Sequence, residues 1–137
     1  MSKIFADTDV CIDLLSSRKP FNAAAEKLFS LADTGKMEIC VSSLSFVNID
    51  YVLRSQYSNH SSRQIFAKFK TLVHVLPVDS RTIDLAIAAD FNDFEDAIQY
   101  FVAIENGITV LVTRNIKDFK NATIKVVTPE IYLATTY

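Results

Sequence analysis

Residues 3–9 read Lys3-Ile4-Phe5-Ala6-Asp7-Thr8-Asp9, and Val10-Cys11-Ile12-Asp13-Leu14-Leu15-Ser16 follows directly. An apolar run that stops at an acidic residue and resumes with helical spacing reads as a buried strand, Lys3 to Ala6, then a tight turn and a helix from Val10 to Ser16. The unit recurs. Apolar runs at Glu38 to Ser42, Val73 to Val78, Thr109 to Thr113 and Lys125 to Val127 read as four more strands. Amphipathic stretches at Asn22 to Ala32, Ser43 to Tyr57, Ser61 to Leu72, Arg81 to Ala89 and Glu95 to Glu105 read as helices, with a last one after Pro129. Gly35 and Gly107 stand where C-terminal caps are expected, and Pro129 suits a first helical position. Strands alternating with helices predict an α/β fold whose mainly parallel sheet is covered on both faces.

Half of the 137 residues are hydrophobic, which suits one domain, 1–137, with a single functional site. A formal charge of -2 argues against a protein that grips nucleic acid mainly by neutralising phosphates. It agrees better with a carboxylate cluster whose charge bound cations would cancel. Cys11 and Cys40 have no metal-ligand or C-x-x-C spacing and sit in apolar runs, so buried thiols and a reducing cytoplasm are expected. No signal-peptide pattern follows Met1, and no segment has the roughly 20 apolar residues of a membrane span.

Open parallel sheets bind ligands at the carboxyl ends of their strands. That directs attention to Asp7-Thr8-Asp9, Ser42-Ser43 and Thr113-Arg114-Asn115. Asp9 could equally cap the helix beginning at Val10, a role that explains Asp7 less easily. A second acidic group, Asp90, Asp93, Glu95 and Asp96, stands ahead of an apolar helix. Helix N-termini favour one or two such residues, and four exceed that need. If the helix already includes Asp93, it shares a face with Asp96. A third segment, Thr113 to Phe119, would set Asn115 and Asp118 about one turn apart if it coils. Converging carboxylates suit Mg²⁺ or Mn²⁺, hard cations that prefer oxygen ligands. Metals so held activate water and stabilise charge on a phosphodiester.

The stretches Ile4 to Asp9, Val41 to Ile49, Asp93 to Ala97 and Val112 to Phe119 together resemble the PIN (PilT N-terminal) domain ribonucleases, of the type that serves as toxin in bacterial toxin-antitoxin pairs. The resemblance implies a three-layer α/β/α domain, a Mg²⁺ or Mn²⁺ site and hydrolysis of RNA. It makes Asp7 the first metal ligand and Asp96 the central one. Asn115 falls where many members have the last acidic residue, with Asp118 nearby as a substitute; Asp9 stands where Asn is usual, and Thr113 is a hydroxyl neighbour. It further implies an antitoxin protein covering the pocket, and homodimers. The chief departure is Asn48, where the family commonly has Glu: an amide brings no charge and cannot act as a base. Asp93 and Asp118 are the residues that would compensate, while Asp50 should point away and pair with Arg54.

Three other readings compete. Asp7-Thr8-Asp9 also resembles the opening of haloacid dehalogenase-type phosphatases, although Cys11 departs from their motif. A receiver-like switch would need a phosphoacceptor after the third strand, and the only candidate, Asp79, looks as much like a helix cap. A PIN-like domain that has lost activity and only binds would account for Asn48 and Asn115. His60 and His74 have no metal-ligand spacing, and Arg63, Lys68 and Lys70 interleave with Phe66, Phe69 and Leu72 as on an ordinary amphipathic helix. The apolar C-terminus, with Ile131, Tyr132, Leu133 and Tyr137, is expected to pack on the core.

Overall fold

In a computed structural model, which describes residues 2–136, the strands are β1 (Ser2–Ala6), β2 (Met37–Ser42), β3 (His74–Leu76), β4 (Val110–Val112) and β5 (Lys125–Val127). The helices are α1 (Thr8–Leu15), α2 (Asn22–Asp33), α3 (Ser43–Leu53), α4 (Asn59–Lys70), α5 (Ser80–Ala88), α6 (Phe94–Glu105) and α7 (Pro129–Thr136), with a 3₁₀ turn at Ile116–Phe119. The sheet order is β3-β2-β1-β4-β5, and every pairing among the described residues is parallel. Side chains alternate across such a sheet, so each strand feeds two cores. Ile4, Ile39, Val41 and Val112 face one, where Val10, Leu28, Ile49, Phe69 and Tyr132 bring in α1 to α4 and α7. Phe5, Cys40 and Leu111 face the other, closed by Ala86, Ile98, Val102 and Phe119 from α5, α6 and the 3₁₀ turn. The three layers α/β/α follow. No helix of the described residues is long and apolar enough to cross a membrane.

Both expected caps form. The chain leaves α2 and α6 with Gly35 at φ 75° and Gly107 at φ 67°, a left-handed conformation that costs glycine nothing. Each closes with paired backbone bonds, Lys36 N to Leu31 O and Gly35 N to Ala32 O, then Ile108 N to Ala103 O and Gly107 N to Ile104 O. Cys11 and Cys40 are buried free thiols. Tyr132 is buried while Ile131 is 44% exposed, and Tyr137 lies outside the described residues.

Several boundaries differ from the sequence reading. α1 begins at Thr8 with Asp7 as its cap, so Asp9 lies in the first turn and is free for another use. α3 stops at Leu53 and not Tyr57: the Leu53 carbonyl accepts from both Gln56 N and Tyr57 N, and Ser58 takes extended geometry to cap α4 through its hydroxyl. The run Val73 to Val78 keeps only His74–Leu76 in the ladder. Asp93 is the cap of α6 and lies outside it.

Candidate metal centre

Strand order turns back at β1, with β2 and β3 on one side and β4 and β5 on the other. Chains leaving β1 and β4 therefore diverge and open a crevice at the strands' carboxyl ends. A cleft of about 380 Å³ occupies that place, lined by Asp7, Asp9, Asp93, Glu95, Asp96 and Asp118, with Asn48, Asn115, Arg18 and Tyr51 among its other walls. All the acidic residues singled out from sequence as ligands thus line one cleft. Thr113 is fully buried beneath the cleft, and Ser42 and Ser43 do not line it. Ser43 instead accepts from Val78 N.

Asp7 is only 6% exposed. Its backbone N–H donates to Val112 O at 2.9 Å, which ties the end of β1 to β4. Its carboxylate accepts from Thr8 N at 2.8 Å and from the Thr113 hydroxyl at 2.8 Å. Asp9 Oδ2 accepts from Arg114 N at 3.1 Å, Asn115 Nδ2 at 3.2 Å and the Thr113 hydroxyl at 3.3 Å. The loop after β4 is thereby latched onto the start of α1. Arg114 strengthens the latch: its guanidinium grips buried Asp13 through Nε at 2.6 Å and Nη2 at 3.3 Å, and lies 3.9 Å over the Phe21 ring. Asn115 then precedes the 3₁₀ turn, whose Asp118 N donates to Asn115 O at 3.1 Å, and both side chains reach the cleft.

On the opposite wall, Asp93 Oδ1 accepts from Asp96 N at 3.0 Å and so caps α6. The Asp96 carboxylate makes no hydrogen bond among the described residues and projects from the first turn. Beneath it, Gln99 is fully buried and donates to the hydroxyls of Thr8 at 2.9 Å and Ser45 at 3.2 Å. That knot joins α6, α1 and α3 under the cleft. Asn48 Nδ2 donates to Glu95 Oε1 at 2.6 Å across the same wall. Asp50 points away and pairs with Arg54 at 3.1 Å, as its helical position predicts.

The electrostatics are those of crowded anions. Burial first, and then the charges of Asp9 and Asp96, push the Asp7 carboxyl well above the ordinary range, against the hydrogen bonds from Thr113 and Thr8. Burial likewise raises Asp9, opposed by the Arg114 N–H and guanidinium. Asp96 is pushed up to about 7 by burial and then by the charges of Asp93, Asp118, Glu95 and Asp9. Such a cluster is costly without a countercharge.

The donor set suits a hard divalent cation. Every candidate ligand offers oxygen, and Asp9 Oδ1 is buried without a hydrogen-bond partner among the described residues. An acceptor in that condition costs free energy unless something positive meets it. Among the described residues no three His, Cys, Asp or Glu side chains stand close enough to hold a metal ion by themselves, so an ion here would be shared between one or two carboxylates and waters. Hard divalent cations that keep several of their waters tolerate so open a carboxylate cleft.

Glu95, Arg18 and Tyr51 are cleft residues that the sequence reading did not assign, and Asp13, Arg114 and Gln99 are supports it passed over. Glu95 stood in the acidic run, but only the fold shows that it faces Asn48. The receiver-like reading loses its key residue. Asp79 caps α5, accepting from Thr82 N at 3.0 Å, and does not line the cleft.

A family model described as PIN domain matches residues 3–117. Ribonuclease VapC1 of Aquifex aeolicus (strain VF5) is 23% identical over 133 residues, covering 93% of this chain and 91% of that protein. Among solved structures, a toxin-antitoxin complex from Klebsiella pneumoniae superposes with a TM-score of 0.70 at 21% identity, covering 93% of this chain and 98% of the other. DNA-bound VapBC from Salmonella typhimurium gives 0.66 at 22% identity, with 93% and 97% covered. VapC20 of Mycobacterium tuberculosis, a Sarcin-Ricin loop cleaving toxin, gives 0.63 at 19% identity, with 79% and 86% covered.

Proposed function

This chain belongs to the PIN domain family, and on that premise we propose that it is a divalent-metal-dependent endoribonuclease that acts as the toxin of a toxin-antitoxin pair. The observation that carries the reading is the cleft itself: Asp7, Asp9, Asp96 and Asp118 gather at the strands' carboxyl ends, and Asp9 Oδ1 is buried there unpaired. Asp7, Asp9 and Asp96 would hold Mg²⁺ or Mn²⁺, with Asp93, Asn115 and Asp118 on the rim. When bound, such an ion activates water and stabilises negative charge on the scissile phosphate.

The residues of the chain supply position. Thr113 fixes Asp7 and Asp9 together by donating to both carboxylates. The Asp13–Arg114 latch keeps the loop after β4 from swinging away from α1, so Asn115 stays over Asp9. Arg18, on the same wall, offers a cation to a backbone phosphate, and Tyr51, 75% exposed, offers a ring face on which a base could stack. An antitoxin protein that covers the cleft would silence the enzyme, and a homodimer and a cytoplasmic setting fit the same role. The buried thiols Cys11 and Cys40 are at home in a reducing compartment.

Incubating the protein and its Asp96→Asn variant with mixed cellular RNA, with Mn²⁺ or Mg²⁺ and with chelator, tests the proposal. Metal-dependent cleavage by the wild type, absent in the variant, is expected. A folded, antitoxin-free wild type that cleaves nothing under any metal would point instead to the inactive binding module suggested by Asn48 and Asn115.

A further inference from the structure

Asn48 looks like a loss for a metal site, since it contributes no charge on the α3 wall. Its surroundings reverse that impression. Its Nδ2 donates at 2.6 Å to Glu95 Oε1, a residue 47 positions later on α6, and both line the cleft with Asp7, Asp9 and Asp96. A carboxylate can only accept, so the amide must present its nitrogen, and the orientation of Asn48 is determined. From this pairing we infer that Glu95 is a metal-holding residue of the cleft, positioned by the Asn48 amide, and that the charge missing at 48 is carried at 95. The inference rests on the metal-site reading given above.

Three features carry it. First, the partner is neutral. A lysine or arginine at 48 would also restrain Glu95 but would cancel its charge, whereas an amide orients the carboxylate and leaves the charge intact. Second, the bond occupies Oε1 alone. Oε2 has no hydrogen-bond partner among the described residues and remains available to a cation. Third, the carboxylate stands among like charges: Asp96 is adjacent, and Glu95, Asp93 and Asp118 all act on it. A plain tie between α3 and α6 could be made by two neutral side chains without that repulsion. Fixing a glutamate against its rotamer entropy inside a negative field is understandable where a cation offsets it.

Mn²⁺ titrated calorimetrically into the full-length wild type, Asp96→Asn, Glu95→Gln and Asn48→Ala, with melting curves of each metal-free protein, provides the test. Gln at 95 keeps a hydrogen bond to Asn48 and removes only the charge. Asn48→Ala should weaken Mn²⁺ binding by roughly 10-fold, the low end of the range seen when groups that orient metal ligands are removed, and Glu95→Gln, which takes away the ligand charge itself, by more. The metal-free melting temperature of Glu95→Gln should stay level or rise. If Glu95→Gln binds Mn²⁺ like the wild type while Asp96→Asn has lost it, the inference is overturned and the metal site stands. If Glu95→Gln lowers only the melting temperature, the pair is a structural tie and the inference again fails. A folded wild type that takes up no Mn²⁺ would overturn the metal-site reading itself.

Discussion

Replacing Asp96 by Asn should make the metal-free protein more stable at pH 8 and leave it nearly unchanged near pH 4. Burial and the neighbouring carboxylates raise the Asp96 carboxyl from its ordinary 3.8 to about 7. Between those values the folded chain holds a proton that the unfolded chain has released. The stabilising contribution is therefore complete below about pH 4 and is lost as pH rises through about 7. At about 1.4 kcal/mol for each tenfold change in proton affinity, the full difference would be about 4 kcal/mol. Asp96 is only half-buried, and solvent screening reduces this to about 2 kcal/mol. Its carboxylate makes no hydrogen bond that Asn would break, so little opposes the gain. For a chain of this size, about 2 kcal/mol corresponds to a melting temperature higher by roughly 6–8 °C. Thermal unfolding of both proteins at pH 4 and pH 8 in chelator gives the comparison. Mn²⁺ at a hundredfold excess over its Kd should then close or invert the gap, since binding adds about 2.7 kcal/mol to the wild type alone. A variant less stable than the wild type at pH 8, or offset equally at both pH values, would refute the reasoning.

Arg114→Ala should be severe, because it leaves Asp13, 1% exposed, charged and unpaired; about 3–5 kcal/mol should be lost at pH 7 in urea unfolding, and less near pH 4, where Asp13 can protonate. Gln99→Leu removes the donor to the Thr8 and Ser45 hydroxyls at no cost to Gln99 Oε1, which already lacks a partner; a loss of about 1–2 kcal/mol is expected from the same measurement. Arg54→Ala breaks an exposed pair with Asp50 and should change stability by no more than about 0.5 kcal/mol.

Period and punctuation make the fold legible in the sequence. Ile4 and Phe5 fall on opposite faces of β1 because strand side chains alternate, and Gly35 and Gly107 end helices because their backbone is left-handed. Boundaries were harder. Asp9 could equally have capped α1, but Asp7 takes that role, and this two-residue change leaves Asp9 in the first turn, where it lines the cleft. Asp7 and Asp96 were readable because each sits where a local pattern breaks: an acid ending an apolar strand, and an acid in excess of what a helix start needs. Glu95 and Asn48 are 47 residues apart, and no local periodicity encodes their contact. Arg114 and Asp13 escaped for the same reason: their pairing depends on β4 lying beside β1, a property of strand order.

The most direct measurement is the anomalous scattering of a crystal of this protein grown with Mn²⁺. A manganese peak is expected in the cleft, within coordination distance of carboxylate oxygens of Asp7, Asp9 or Asp96, or one water away from them. A well-ordered cleft without a peak, or manganese bound only elsewhere on the surface, would contradict it.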